Sequence, residues 1–271
     1  MSESFLFASG KGGVGKSVLA ANLAVLLARS GSRVVLIDAD LGLRAQDLML
    51  GLENDIVYDL LDVVEGVCPL DQALLPVPSL ARLRLLPAAQ FARVKDLDPR
   101  ALKKILARLR RDADFIFVDC PAGLERGLRN VLNAGASLTP VLVVTPDDLC
   151  IRDAERVSAL LQDKKLPQAR VLVNRLQPDL VHAGLMYSAQ TVAQVLDLPL
   201  LGEVPEDQAF CLALLRHRYA VDYVCEAEKA LTRIVARLRG EDRPFPSYGR
   251  RRTPFLRRHR FAKPREVKRY S

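Results

Sequence analysis

Short apolar runs alternate with amphipathic stretches along nearly the whole chain. SFLFAS at 4–9, RVVLIDAD at 33–40, FIFVDCP at 115–121, PVLVVTP at 140–146, ARVLVN at 169–174 and LPLLGEVP at 198–205 each close near a polar or turn-forming residue. Unbroken apolar runs of this length predict strands buried on both faces, as in a parallel sheet. Between them, 16–30, 99–111, 152–163, 188–196 and 225–239 read as helices. In the last of these Ala227, Ala230, Leu231, Ile234, Val235 and Leu238 recur at helical spacing. The alternation predicts a doubly wound α/β domain: a mostly parallel sheet flanked by helices, with ligands at the carboxyl ends of the strands.

With 271 residues, 49% of them apolar, the chain can bury a full core, and no internal repeat divides it. The pattern changes near residue 240. Residues 241–271 hold four prolines and few aliphatic side chains, which predicts one domain over 1–240 followed by a basic, flexible tail. Charge follows the same boundary. Between Arg250 and Arg269 ten Lys and Arg stand against Glu266, a net +9, so the chain's +8 belongs to the tail and the remainder is close to neutral.

The first residues have only a five-residue apolar run and no basic leader, and the longest apolar run, 18–28, is short of a bilayer span. A cytoplasmic location is expected. Five scattered cysteines without a C-x-x-C pair, and three histidines, predict buried free thiols and no metal set.

Chemistry concentrates after the first strand. Gly10, four residues, then Gly15-Lys16-Ser17 match the phosphate-loop pattern, placed as the mechanism requires between a strand and a helix. Glycines let backbone N–H groups approach phosphates, and the helix N-terminus adds its positive end. Lys16 is expected to reach the β- and γ-phosphates and Ser17 to hold Mg²⁺. Asp38 and Asp40 end the next strand at the same edge, where they serve either as metal or water ligands or as turn-forming aspartates. Lys11 is superfluous to an ordinary phosphate loop, and the loop alone does not distinguish a solvated side chain from a second phosphate ligand.

KGGVGKS resembles the deviant phosphate loop of the ATPase family that includes MinD, ParA and the nitrogenase iron protein. Several later segments, in order, are similar to the MinD branch: VVLIDADLGLRAQDLMLGLENDIVYDLLDVVEG at 34–66, VDCPAGLERG at 118–127, TPDDLCIRDAERV at 145–157 and LGEVPEDQAF at 201–210. The similarity covers about residues 4–246. It implies an ATP hydrolase with Gly10, Lys11, Gly12, Gly13, Val14, Gly15, Lys16 and Ser17 around the phosphates. In that family the early lysine, here Lys11, reaches the partner's nucleotide across a dimer interface, like an arginine finger supplied in trans. The resemblance further implies that Asp40 orients the attacking water with Asp38 nearby, that Asp119 supports Mg²⁺, and that Asn174 and Pro205 meet the adenine. Cys120 stands where that family usually has serine, and Arg44 and Asp153 are candidate partner contacts. The clusters of the nitrogenase-type relatives find no matching cysteines here.

The partners implied are a second copy with ATP, a division inhibitor of the MinC type and a MinE-type or polar-scaffold regulator. The tail is where the likeness weakens. MinD proteins end in a short amphipathic helix lying in the membrane interface, whereas Pro254 and Pro264 limit any helix here to about nine residues. Phe255, Leu256 and Phe261 with ten cations predict an anionic membrane surface as target, placing the protein peripherally on the inner face of the cell membrane. The same charges would attract nonspecific DNA, as in a ParA-like partition or cargo-positioning ATPase.

Overall fold

The computed structural model describes residues 2–41, 43–90, 97–124, 126–134, 137–164 and 166–246. Eight strands form one sheet: β1 (Glu3–Ala8), β2 (Val34–Asp38), β3 (Leu75–Val77), β4 (Leu80–Leu86), β5 (Phe115–Asp119), β6 (Thr139–Val144), β7 (Arg170–Leu176) and β8 (Leu200–Pro205). Their order is β3-β4-β2-β5-β1-β6-β7-β8, and among the described strands every neighbouring pair is parallel except β3 with β4. The doubly wound, mostly parallel sheet expected from the apolar pattern is the one observed.

The six strands read from sequence are β1, β2, β5, β6, β7 and β8. In β2 and β5 all five residues are buried, because helices cover both faces and no side of the strand meets water. The hairpin of β3 and β4 was not among them. LARLRLL, the β4 sequence, consists of residues with good helix propensity, and its conformation follows from pairing with β2, Val34 opposite Leu83 through Ile37 opposite Leu86.

The predicted helices lie at Lys16–Arg29, Pro99–Leu109, Asp148–Asp163, Ala189–Val195 and Glu226–Leu238, and their starts have local causes. Asp98 caps the second of these with proline in its first turn, and the Asp147 side chain accepts from Cys150 N at the head of the third. Further helices lie at Gln46–Leu50, Leu60–Glu65, Leu70–Ala73, Arg126–Ala134, Pro178–His182 and Gln208–Leu215.

All five cysteines are free. Cys68, Cys120 and Cys150 are buried as expected, but Cys211 faces outward on the helix Gln208–Leu215 and Cys225, which caps the start of Glu226–Leu238, is half-buried. Past the last helix the chain runs as a strap over 241–246. Arg237 holds it, donating to Arg243 O at 3.0 Å and Pro244 O at 2.9 Å, with the Phe245 ring 4.0 Å from the guanidinium carbon. Residues 247–271, on which the expectations for the tail fall, lie outside the described residues.

β1 is central: the chain leaves it for β2, beyond β5 on one side, and later passes from β5 across β1 to β6 on the other. The crevice at such a reversal of strand order is where α/β sheets bind ligands. The position of β1 is fixed by Phe117 of β5, fully buried and edge-on to Phe5 (5.9 Å between centroids) and Phe7 (4.9 Å). Phe117→Ala is expected to lower unfolding free energy by about 3–5 kcal/mol, read as a fall in urea midpoint at unchanged m-value.

Candidate functional site

β1 ends at Ala8, and the glycine loop turns directly into the helix Lys16–Arg29. Gly15 precedes that helix at φ 91°, in the left-handed region, and no side chain caps the first turn and no acidic residue occupies it. The helix's first N–H groups and its positive end are therefore left for an anion. Gly10 is required for a different reason. A Cβ there would lie 2.5 Å from the carbonyl carbon of Asp153, so the loop packs on the helix Asp148–Asp163 at a distance only glycine permits. Gly12 and Gly13 are exposed, and Val14 is buried beneath the loop.

Lys16 is buried with its Nζ 2.5 Å from Asp119 Oδ1 and 3.1 Å from Ser17 Oγ. Burial alone would lower its pKa. The charge and hydrogen bond of Asp119 outweigh that, and the ammonium sits above the ordinary lysine value. The other oxygen of Asp119 accepts from Gln46 Nε2 at 2.7 Å, and the same amide nitrogen reaches Ser17 O at 3.1 Å. Gln46 thus braces the carboxylate against the first turn of the helix. Sequence reading did not find it, because no motif or periodicity marks a glutamine 29 residues from the backbone it holds.

Asp38 stands beside Asp119, the two ends of β2 and β5 being in register. Its oxygens are taken up by backbone: Oδ1 accepts from Asp40 N (3.0 Å), Oδ2 from Ala45 N (3.0 Å) and Gln46 N (3.1 Å). The carboxylate ties down the loop after β2, which presents half-buried Asp40 at the edge of the site. Burial first, and the Asp119 charge second, push the Asp38 pKa up to about 7. Cys120 is fully buried next to this cluster, and burial raises its thiol pKa well above the usual value, so it is an uncharged spacer.

Lys11 is placed differently from Lys16. It lies on the rim, half-exposed, with Nζ 3.5 Å from Asp147 Oδ1, whose side chain is 48% exposed. Arg44, at φ 36°, pairs with buried Asp47 at 2.7 Å, and Asp153 faces Arg156 at 3.8 Å.

Across the loop a cavity of about 710 Å³ opens, lined by Gly15, Asn174, Pro205, Glu206, Phe210 and Leu214 among others. Asn174 donates from Nδ2 to Val14 O at 2.7 Å, which sets the amide's orientation; its Oδ1 is buried without a hydrogen-bond partner. A fixed, unpaired acceptor behind the cavity wall suits a ligand that brings an N–H donor. Pro205 supplies an apolar wall at the end of β8.

A helix N-terminus, a buried lysine and a hydroxyl at the end of a central parallel strand accommodate polyphosphate, and the neighbouring cavity accommodates a base: the class is that of phosphate-loop nucleotide-binding domains. Residues 5–221 match the CobQ/CobB/MinD/ParA nucleotide binding domain. The septum site-determining protein MinD of Helicobacter pylori is 40% identical over 253 residues, covering 90% of this chain and 93% of its own. Among solved structures, a chain of the MinC:MinD cell division protein complex of Aquifex aeolicus superposes with a TM-score of 0.82 at 36% identity, over 92% of this chain and all of that one. The Pyrococcus horikoshii MinD complexed with Mg-ADP gives 0.78 at 29% identity, over 88% and 96%. The chain belongs to the MinD family.

Two outcomes follow from the buried cluster. Gln46→Leu leaves Asp119 with an unmet acceptor and is expected to cost about 1–3 kcal/mol of apoprotein stability in urea titration. Because the folded-state pKa of Asp38 is raised from 3.8, its contribution to stability is complete below that value and is lost as pH rises toward about 7. Urea midpoints of the apoprotein should accordingly fall across that window, and fall less in Asp119→Asn, which lacks the neighbouring charge.

Proposed function

We propose that this chain is a MinD-type ATPase that binds Mg-ATP, dimerises around two nucleotides and docks reversibly on the inner face of the cell membrane. There it positions a MinC-type inhibitor of division-septum assembly until hydrolysis releases it. The observation carrying this reading is the division of labour between two lysines five residues apart. Lys16 is buried in the floor, paired with Asp119, whereas Lys11 is tethered on the rim by a single half-exposed ion pair. An exposed pair of that kind contributes about 0–1 kcal/mol, so little opposes Lys11 turning toward a phosphate on a second copy.

The residues fit the ligands this reading requires. Asn174 Oδ1, enclosed and unpaired, matches the amino group on the edge of adenine, and Gly15 keeps the loop open between that amide and the phosphates. Ser17 Oγ is the hydroxyl available to Mg²⁺, with Asp119 and Asp38 behind it, the latter through the loop it holds. A cation held there would supply positive charge to the phosphates. Within the chain, Lys16 exchanges Asp119 for phosphate oxygens, Asp40 at the end of the braced loop orients water, and Lys11 of the partner neutralises charge that develops at the γ-phosphate. Asp38 keeps Asp40 in place, and the helix N-terminus holds the β-phosphate.

A regulator of the MinE type or a polar scaffold would set the rate of turnover, and the exposed start of the helix Asp148–Asp163, with Leu149 68% exposed, is a surface available to partners. A second reading, a ParA-like ATPase riding on nonspecific DNA, is favoured by the ten cations between 250 and 269. Co-sedimentation with anionic vesicles or with DNA, in ATP or ADP, for the full chain and for a chain ending at Tyr248, separates the two. ATP-dependent pelleting with vesicles that is lost with the tail supports the membrane reading; pelleting with DNA alone transfers the chain to the second.

Lys11→Ala is expected to reduce dimer-dependent ATP turnover by about 10³-fold or more while nucleotide affinity changes only a few-fold. Steady-state turnover alongside equilibrium binding of a fluorescent ATP analogue checks both. Retained turnover would overturn the trans-lysine mechanism.

A further inference from the structure

The helix Gln208–Leu215, sequence QAFCLALL, carries more apolar surface than the core uses. Only Ala209 and Ala213 are buried, while Leu212, Leu214 and Leu215 are 37%, 51% and 73% exposed. Leaving three leucines of one two-turn helix in water is costly unless something covers them.

The residues that follow are cationic. Arg216, His217 and Arg218 are all exposed, and the chain turns back at His217 (φ 49°) so that Arg218 N donates to Ala213 O at 2.9 Å. This closure keeps the basic side chains at the end of the leucine helix. The neighbouring carboxylates are engaged elsewhere. Asp207 caps the helix through Ala209 N and accepts from Ala227 N at 3.2 Å, Asp222 pairs with Arg29 at 2.5 Å, and Glu206 faces Arg175 at 3.8 Å. Apolar side chains beside uncompensated positive charge are the pattern of elements that lie in the interface of an anionic bilayer.

The strap ends beside a second cavity at the same strand end. Phe245 and Pro246 line a cavity of about 460 Å³ that shares Leu176 with the base cavity, and the base cavity is walled by Phe210, Cys211 and Leu214 of the leucine helix. The described chain ends at Pro246, and the ten cations follow in sequence.

We propose that Leu212, Leu214 and Leu215, with Arg216, His217 and Arg218, form a lipid-contacting surface on the folded domain, occupied by an anionic bilayer and acting with the tail. The proposal rests on the membrane reading above and extends it from the tail to the domain. Leucines inserted from the domain compensate for a tail whose prolines restrict its helix. Because Leu214 and Phe210 also wall the base cavity, lipid contact fixes one side of the nucleotide site.

The chain contains no tryptophan, so Leu215→Trp in the full chain gives a single reporter. With vesicles of phosphatidylglycerol and phosphatidylcholine and ATP, its emission is expected to shift to the blue, and with pure phosphatidylcholine vesicles to stay unchanged. The double variant Leu212→Ser/Leu215→Ser, which leaves the cavity walls intact, is expected to bind the anionic vesicles about tenfold more weakly or worse at unchanged affinity for a fluorescent ATP analogue. If wild type and double variant bind equally and the tryptophan does not shift, this surface is excluded while tail-mediated membrane binding stands. If the wild type does not bind vesicles at all, the membrane reading falls and the surface with it. Weakened self-association of the double variant with unchanged vesicle binding would assign the leucines to a second copy and overturn the proposal.

Discussion

The buried ion pair between Lys16 and Asp119 is the constraint to which the rest of the site answers. Both side chains are nearly or wholly out of water, and an ionised group in that position is tolerated only when paired and hydrogen-bonded. A lysine at the start of a helix and an aspartate at the end of β5 must therefore meet. That fixes how far the helix stands from the sheet and aligns β1 with β5, where the Phe5, Phe7 and Phe117 rings pack. Gln46 completes the arrangement by satisfying the carboxylate oxygen that Lys16 leaves free. Such a pair adds little net stability, but it keeps a charged lysine at the head of the glycine-loop helix.

The same economy explains Asp38. Two carboxylates at adjacent strand ends repel, and burial penalises both, yet Asp38 is retained because three backbone N–H groups of the following loop close on it. Its function is therefore largely architectural: it determines where Asp40 and Gln46 stand. The floor of the site is rigid and polar for this reason, while its rim, with Lys11 and Asp147, is exposed and weakly held. A rigid floor and a loosely tethered rim suit a site completed by a second molecule.

Much of the fold was legible in the sequence. Strands covered on both faces must be continuous apolar runs, so β1, β2, β5, β6, β7 and β8 announce themselves through FLFA, VVLID, FIFVD and the rest. The phosphate loop was equally legible, because the need for glycine at a close approach and at a left-handed turn is a property of residue type. The hairpin β3–β4 was not, since leucine and arginine carry no strand preference and only pairing with β2 makes them extended. The exposed Cys211 escaped for a related reason: apolar composition says that a helix has a buried face without saying that Gln208–Leu215 turns three leucines outward.

The chain by itself thus determined the α/β architecture, the anion-binding loop and the identity of the charged groups at the strand ends, because each follows from local pattern and residue chemistry. Only the tertiary structure decided which of those groups meet. It put Lys16 on Asp119 but Lys11 on the rim, turned Asp38 toward its own loop, introduced Gln46 as their brace, and left Asn174 Oδ1 buried and unpaired behind the glycine loop. The physical reason is that most of these partners lie tens of residues apart, up to 160, and are selected by burial and hydrogen-bond satisfaction, which act on distance in space and leave no mark on spacing along the chain.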